Sequence, residues 1–353
     1  MGKKTKTLFL VKPRDLVIAK NNSGIFSDPT EIYNLFAAYN RGHDVYFVHP
    51  SDFFVKKGEL WGICRKPNAE RISNFESFAD YIANPRSMFD ERLPIKDFNI
   101  IFSRIVSKDN RELTNDNNAI IYLRCIKNLY PHITFINDPD SISLAGPKIY
   151  DTLVLRGVLP QTHITKDEER IKEIVRRGKE WMAKPIHGLG GKGVVGIKDY
   201  EHNLQGIIEL LLKDLHSSTN EPRPFILQQK VEGLERRIVL LNGSEILTSY
   251  SKIHSEEDNR GNEDSGAISE EYIPSETDKK IISKISSTLM KDGLYLTALD
   301  ILGPEEDGNL DNTKVLEVNV MCPQWITSSF IASNIEEISD RIIEFSEELN
   351  RTQ

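Results

Sequence analysis

The segment Lys314-Val315-Leu316-Glu317-Val318-Asn319 limits the fold more than any other stretch of this chain. Val315, Leu316 and Val318 mark it as a β-strand, and side chains alternate along a strand, so Glu317 and Asn319 project from one face. Asp300 lies seventeen positions earlier, where it ends the apolar run Leu294-Tyr295-Leu296-Thr297-Ala298-Leu299 and precedes Ile301-Leu302-Gly303. Two adjacent strands would bring two carboxylates and an amide oxygen to one point. These are hard oxygen ligands of the kind Mg²⁺ takes, usually beside substrate phosphates. The other reading is a set of solvated polar residues at strand ends.

At 353 residues the chain is long enough for two or three packed units. Charged residues make up 28% and hydrophobic residues 39%, as in ordinary soluble proteins. The net charge of −8, with no long Lys/Arg cluster, argues against a nucleic-acid or membrane-surface partner. Cys64, Cys125 and Cys322 are too scattered for a disulfide framework or zinc spacing, which points to a reducing, cytoplasmic setting. Lys3, Lys4 and Lys6 precede Thr7-Leu8-Phe9-Leu10-Val11, but this run is too short for a signal peptide and reads as a first strand. Lys6 stands where a myristoylation signal needs Ser or Thr, and no segment approaches the roughly 20 apolar residues of a membrane span.

Up to about residue 140, strand patterns at 7–11, 44–48, 99–105 and 133–136 alternate with helical patterns at 29–41 and 117–130. That alternation predicts a parallel sheet covered by helices, and Gly42 ends the first helix. A helix-sized segment follows at 147–156. Beyond it, strand patterns at 181–185, 193–198, 225–231, 237–241 and 245–251 read as antiparallel, with Asn242-Gly243 as a two-residue hairpin turn. Ile335, Ile338, Ile342, Phe345 and Leu349 share one face of a final helix. The most loop-like stretch is 255–269.

Lys184-Pro185 closes a short strand and leads into Ile186-His187-Gly188-Leu189-Gly190-Gly191-Lys192-Gly193. Glycines let backbone N–H groups approach an anion and adopt the φ > 0 geometry of a phosphate nest. A strand follows where a P-loop or dinucleotide fingerprint needs a helix, so neither motif is present. The alternatives here are a phosphate-binding loop and a plain hairpin loop.

The order of features resembles that of the ATP-grasp ligases: glycine loop between strands, Gln228-Gln229-Lys230-Val231-Glu232-Gly233, Glu235, Arg237, Asp300, then Glu317 and Asn319. Within them it is most similar to the bacterial glutathione synthetases, over roughly 140–330. Arg260-Gly261-Asn262 also matches that family. The resemblance implies an α/β and α+β, ATP-grasp fold. It would have an N-terminal Rossmann-like (pre-ATP-grasp) domain at 1–140, a central lid at 141–232 and a C-terminal body at 233–353. It implies a ligase that phosphorylates a small acid with ATP and lets an amine attack the acylphosphate. The cofactors implied are ATP and Mg²⁺, as two ions, with Mn²⁺ as the alternative, and a homo-oligomer is the implied assembly. By position, Lys148 and Lys184 would contact phosphates beneath a loop of Gly188, Gly190 and Gly191. Gln228, Gln229 and Val231 would meet adenine through backbone groups, and Glu235 would hold the ribose. Asp300, Glu317 and Asn319 would hold metal, and Arg237, Asn262 and Arg260 would face the acylphosphate.

The sequence departs from the family where the substrates should lie. Ser103-Arg104-Ile105-Val106-Ser107-Lys108-Asp109 replaces an Arg-Lys-Asp-Pro-Pro segment. Glu263-Asp264-Ser265-Gly266-Ala267 replaces a glycine-rich loop, and Val320-Met321-Cys322-Pro323 replaces Val-Thr-Ser-Pro. The expectation is a substrate pair less anionic than γ-glutamylcysteine and glycine. A non-catalytic nucleotide-binding protein and a kinase on the same fold are the rival readings. Cys322 reads as packing, and His187 and His254 are weak site candidates.

Overall fold

Leu8, Phe9 and Leu10 are fully buried in β1 (Lys6–Leu10), the centre of the N-terminal sheet. The computed structural model describes residues 4–11, 30–67, 72–83, 89–103, 110–176, 178–186, 193–198, 203–212, 223–253, 268–304, 309–321, 323, 325, 330 and 332–352. The N-terminal unit continues with α1 (Thr30–Asn40), β2 (Asp44–Val48), β3 (Phe53–Lys56), β4 (Glu59–Lys66), α2 (Phe75–Ala83), β5 (Phe89–Pro94), β6 (Ile100–Phe102), α3 (Asn110–Leu129) and β7 (Thr134–Ile136). Strands β2, β1, β6 and β7 pair in parallel in that order, as the alternation predicted.

The antiparallel strands β3, β4 and β5 extend this sheet and were not read from the sequence. Their signal was Lys57-Gly58, a two-residue turn with φ of 52° and 79°, the left-handed pair a tight hairpin requires. Cys64 is a buried free thiol and Cys125 an exposed one.

Next come α4 (Pro139–Ala145), α5 (Ile149–Val154), β8 (Thr162–Thr165), α6 (Glu168–Val175), β9 (Trp181–Pro185), β10 (Val195–Ile197), α7 (Leu204–Leu212) and β11 (Phe225–Gln229). Strands β10, β9, β11 and β8 form an antiparallel sheet in that order. Ala183 and Leu227 turn one face of it onto Ile171, Ile174 and Ile208 of α6 and α7. Ile226 is opposite Lys184, and Gln228 is opposite Met182. Alternation puts these four on the other face.

The C-terminal unit holds β12 (Leu234–Leu241), β13 (Glu245–Ile253), β14 (Ile268–Glu271), α8 (Glu276–Lys291), β15 (Leu296–Gly303), β16 (Lys314–Asn319) and α9 (Ile335–Thr352). The sheet order is β14-β13-β12-β15-β16. Ile238, Leu240, Leu299 and Ile301 face α8, whose start is fixed by a capping box between Ser275 and Asp278. On the opposite face Val239, Leu241, Tyr250 and Ala298 pack in one core with Phe9, Leu35 and Phe102 of the N-terminal unit.

Helix α9 buries Ile335, Ile338, Ile342 and Phe345 in that same core. Each such side chain gains about 1.5–3 kcal/mol on burial. Arg41, just beyond α1, forks onto Glu347 of α9 (2.9 and 2.8 Å) and also meets Asp340. The last helix, grouped by sequence with the C-terminal body, is therefore shared with the N-terminal unit. At the hinge between the two antiparallel sheets, Gly233 has φ of 130°, and a Cβ there would lie 2.4 Å from the Gly303 carbonyl carbon. Only glycine fits that approach.

Candidate active site

Glu235 and Arg237 are two residues apart on β12 and share a face. The antiparallel registers set Lys252 opposite Glu235, Asp300 opposite Arg237, and Glu317 opposite Asp300. The result is a ladder of charged groups across four strands, with opposite charges paired at Lys252–Glu235 and Arg237–Asp300 and a second carboxylate, Glu317, beside Asp300. Arg237 donates from Nε and Nη2 to the two carboxylate oxygens of Asp300, at 2.7 Å each. Lys252 Nζ lies 2.6 Å from Glu235 Oε1 and 3.2 Å from Asp300 Oδ1. Asn319 Nδ2 donates to Asp300 Oδ2 at 3.2 Å. Lys148, which caps α5, donates from Nζ to Glu317 Oε2.

Asp300 is not the end of its strand; β15 runs three residues beyond it. The register also shifts there, since Asp300 pairs with Glu317 but Ile301 pairs with Val315. Leu316 is the extra residue of a β-bulge. An unbroken strand would put Val315 and Val318, three apart, on opposite faces. Through the bulge both reach the core beneath α8, while Glu317 and Asn319 face the charge ladder. Bulges recur beside active sites because they re-aim side chains in this way.

The facing sheet contributes Lys184, whose Nζ donates to Gln228 Oε1 at 2.7 Å. Gln229 and Val231 follow at the end of β11, where the Gln229 N–H donates to the Gln161 carbonyl at 2.8 Å. Gly188, Gly190, Gly191, Arg260 and Asn262 lie outside the described residues, as do His187, His254 and Cys322.

Residues 148–333, more than half of the chain, match the family described as prokaryotic glutathione synthetase, ATP-grasp domain. The chain belongs to this family. Glutathione synthetase from Buchnera aphidicola is 25% identical over 323 residues, spanning 86% of this chain and 89% of the relative. The Thermosynechococcus vestitus glutathione synthetase is 27% identical, with 84% and 88% covered. Among solved structures, the ATP-grasp ligase PsnB complexed with minimal precursor superposes with a TM-score of 0.59. It is 16% identical, with 97% and 99% of the two chains covered, a likeness of fold. The protein is an ATP-dependent ligase forming carbon–nitrogen bonds, and ATP-grasp ligases work with ATP and Mg²⁺.

Electrostatics of the family's cleft follow from burial and pairing. Burial opposes the Asp300 charge, but Arg237 and Lys252 outweigh it and hold this carboxyl well below the usual range. Glu317 is likewise pushed up by burial and pulled down further by Lys148. Burial disfavours charge on Lys148, yet Glu317, Asp151 and Asp300 raise it above an ordinary lysine. Lys184 goes the other way, lowered by burial and then by Lys148. Asp151 is pushed up to about 7, chiefly by burial.

Among the described residues, no group of three or more His, Cys, Asp and Glu side chains is disposed to hold a metal. Asp300, Glu317 and the Asn319 amide are hard oxygen donors that fit Mg²⁺ when substrate phosphates complete its shell. No helix among the described residues is long and apolar enough to cross a membrane.

Two residues of the cleft were not found from sequence. Lys252 sits in a strand where lysine usually points to solvent, but its side chain is only 7% exposed. Its signal was the pairing of β13 with β12. Asp151 follows Lys148 by three positions, one helical turn, which puts both on one side of α5. Glu235 is not a surface charge either, because its side chain is 12% exposed and bound to Lys252.

Proposed function

We propose that the cleft between the two antiparallel sheets uses ATP to activate the carboxylate of a small acid and couples it to an amine. The Arg237–Asp300 fork, set between Lys252 and Asn319, carries this reading. Asp300, Glu317 and Asn319 would hold Mg²⁺, as two ions, with Mn²⁺ able to replace it. When bound, Mg²⁺ supplies charge neutralisation and orientation at the phosphate oxygens.

Lys148 and Lys184 contact the phosphates, under a loop formed by Gly188, Gly190 and Gly191. Backbone groups of Gln228, Gln229 and Val231 meet adenine. Glu235, steadied by Lys252, reaches the ribose hydroxyls. An oxygen of the acid attacks the γ-phosphorus of ATP, and ADP leaves with the bond to its β-phosphate oxygen. Arg237 and Lys252 offset charge on the moving phosphoryl group. The amine nitrogen then attacks the acyl carbon of the acylphosphate, and phosphate departs with the C–O bonding pair and takes up the amine proton. Asn262 and Arg260 join Arg237 at the acylphosphate. Water must be kept out during this interval, or the acylphosphate hydrolyses.

The acid and amine differ from γ-glutamylcysteine and glycine on this reading. Glu256, Glu257, Asp258, Glu263 and Asp264 outnumber Arg260 in the loop that would cover them, and like charge repels an anionic dipeptide. A less anionic acid or a cationic amine fits better.

The test is ADP release against a panel of acid and amine pairs, with product mass. The expected result is amine-dependent ADP release matched one to one by an amide. A stable product phosphorylated on a hydroxyl, formed without amine, would make the protein a kinase. ATP binding without turnover on any pair, unchanged in Arg237→Ala, would make it a nucleotide-binding protein.

A further inference from the structure

Strand β16 carries Glu317 and Asn319, yet among the described residues it pairs with β15 alone, so its other edge has no neighbouring strand. Unpaired edge N–H groups need partners when buried. Two of them find partners in the segment after Lys148. The Val315 N–H donates to the Val158 carbonyl at 2.9 Å. The Val318 N–H donates to Asp151 Oδ2 at 3.3 Å. Val318 lies between Glu317 and Asn319, beside the bulge where the register shifts.

Asp151 is 4% exposed, and its Oδ1 has no hydrogen-bond partner among the described residues. A carboxylate is an expensive group to bury for one neutral N–H. A hydrophobic residue would fill this turn of α5 more cheaply if packing were its only task. Lys148, on the same helix, grips Glu317 from the same side. The short helix therefore holds both a metal-candidate side chain and the peptide next to it. From the inner side, the Asn137 side chain donates to the Val320 carbonyl at 2.8 Å, one residue past Asn319.

We propose that Asp151 is a positioning residue for the metal site, which acts through the Val318 peptide to fix the spacing of Glu317 and Asn319. It takes the place of a missing neighbour strand at the bulge. The inference rests on the metal reading of Asp300, Glu317 and Asn319 given above. Partners that orient metal ligands typically change metal affinity or activity by about 10–100-fold when lost.

The experiment measures the Mg²⁺ concentration for half-maximal ADP release in D151N, D151L and E317Q. Binding of an ATP analogue in excess EDTA is measured alongside. Asp151→Asn keeps an acceptor oxygen at the same place, so its Mg²⁺ requirement stays within about threefold of wild type. Asp151→Leu removes the acceptor and raises the requirement by about tenfold or more, while metal-free analogue binding stays within about twofold. Should D151L fail to fold, Asp151→Ala carries the same expectation. An unchanged Mg²⁺ requirement without the acceptor overturns the proposal, whatever happens to the melting temperature. So does a D151N as impaired as D151L, since charge and not the acceptor would then matter. If E317Q raises the requirement and D151L does not, the inference alone fails. If E317Q leaves it unchanged, the metal reading itself has failed and takes the inference with it.

Discussion

On the C-terminal side of the cleft Arg237 and Lys252 meet Asp300, and Lys148 meets Glu317. On the opposite sheet Lys184 meets the neutral amide of Gln228. The first set is balanced before any ligand arrives. Its groups are already oriented, so little reorganisation is needed when charge develops on a phosphoryl group. The second side keeps a buried lysine whose charge is disfavoured, and which gains most from an incoming anion. The comparison separates two tasks: one surface is built for geometry and the other for anion capture.

Removing a carboxylate from the balanced side should have the largest effect. Glu317→Gln keeps the shape and loses one charge, and turnover at limiting Mg²⁺ should fall by about 100-fold or more, beyond the usual loss for an orienting partner. Steady-state ADP release checks this, and a near wild-type rate would remove Glu317 from the metal site. Asp300→Asn breaks the same side at its centre. It leaves Arg237 buried against a neutral neighbour, while Lys252 keeps Glu235, and breaking a buried pair in this way costs about 3–5 kcal/mol. Denaturant unfolding should show that loss. A variant as stable as wild type would mean that the ladder is not prepaid in the fold.

The two lysines sharpen the contrast. Lys148→Met orphans Glu317 and should lower stability. Lys184→Met removes a disfavoured charge without orphaning an anion, so stability should hold or rise. Both should weaken ATP binding, by about 10- to 150-fold for a lost charge-assisted contact of about 1.5–3 kcal/mol. Thermal unfolding with and without nucleotide separates the pair. Equal destabilisation by both would erase the distinction between the two surfaces.

What was legible in the sequence follows the same division. Glu317 and Asn319 stood on a strand with a plain apolar pattern, and the face they share followed from alternation. Asp300 followed another apolar run, and the role of Arg237 came from the family resemblance alone. The bulge was harder, although the spacing of Val315 and Val318 carried it: two core valines three apart do not fit one regular strand. Lys252 and Asp151 were hidden because their meaning is set by partners far away in the chain. A strand lysine or a helical aspartate is ordinarily solvated, and only the pairing of β12 with β13, or of α5 with β16, buries it. The hairpin of β3 and β4 had its Lys57-Gly58 turn in plain view, but lysine is an unusual residue at positive φ. The last helix was read correctly as a single apolar face. Its neighbours on α1 could not be, since nothing local in 335–352 names them.

The smallest expected effect is also the most specific to the unbalanced side. Lys184 has a pKa lowered from 10.5, first by burial and then by Lys148. A phosphate placed beside it favours the charged form and raises that pKa. Between the depressed value and the ordinary lysine range, bound enzyme therefore carries more protons than free enzyme. Binding must take up a fraction of a proton, and ATP affinity must fall as pH rises through this window. For folding the sign is opposite: the unfolded chain binds more protons there, so the Lys184 contribution to stability grows with pH. Terminal phosphate groups, with a pKa of about 6, are already ionised above pH 8 and do not obscure the signal. Calorimetry at a series of pH values from about 8 to the ordinary lysine range, in buffers of different ionisation heat, reads the uptake directly. The value should be positive in wild type, less than one proton, and absent in Lys184→Met. Lys148, whose pKa is already raised by Glu317, should contribute none, so uptake that survives in Lys184→Met would place the anion-capturing charge elsewhere in the cleft.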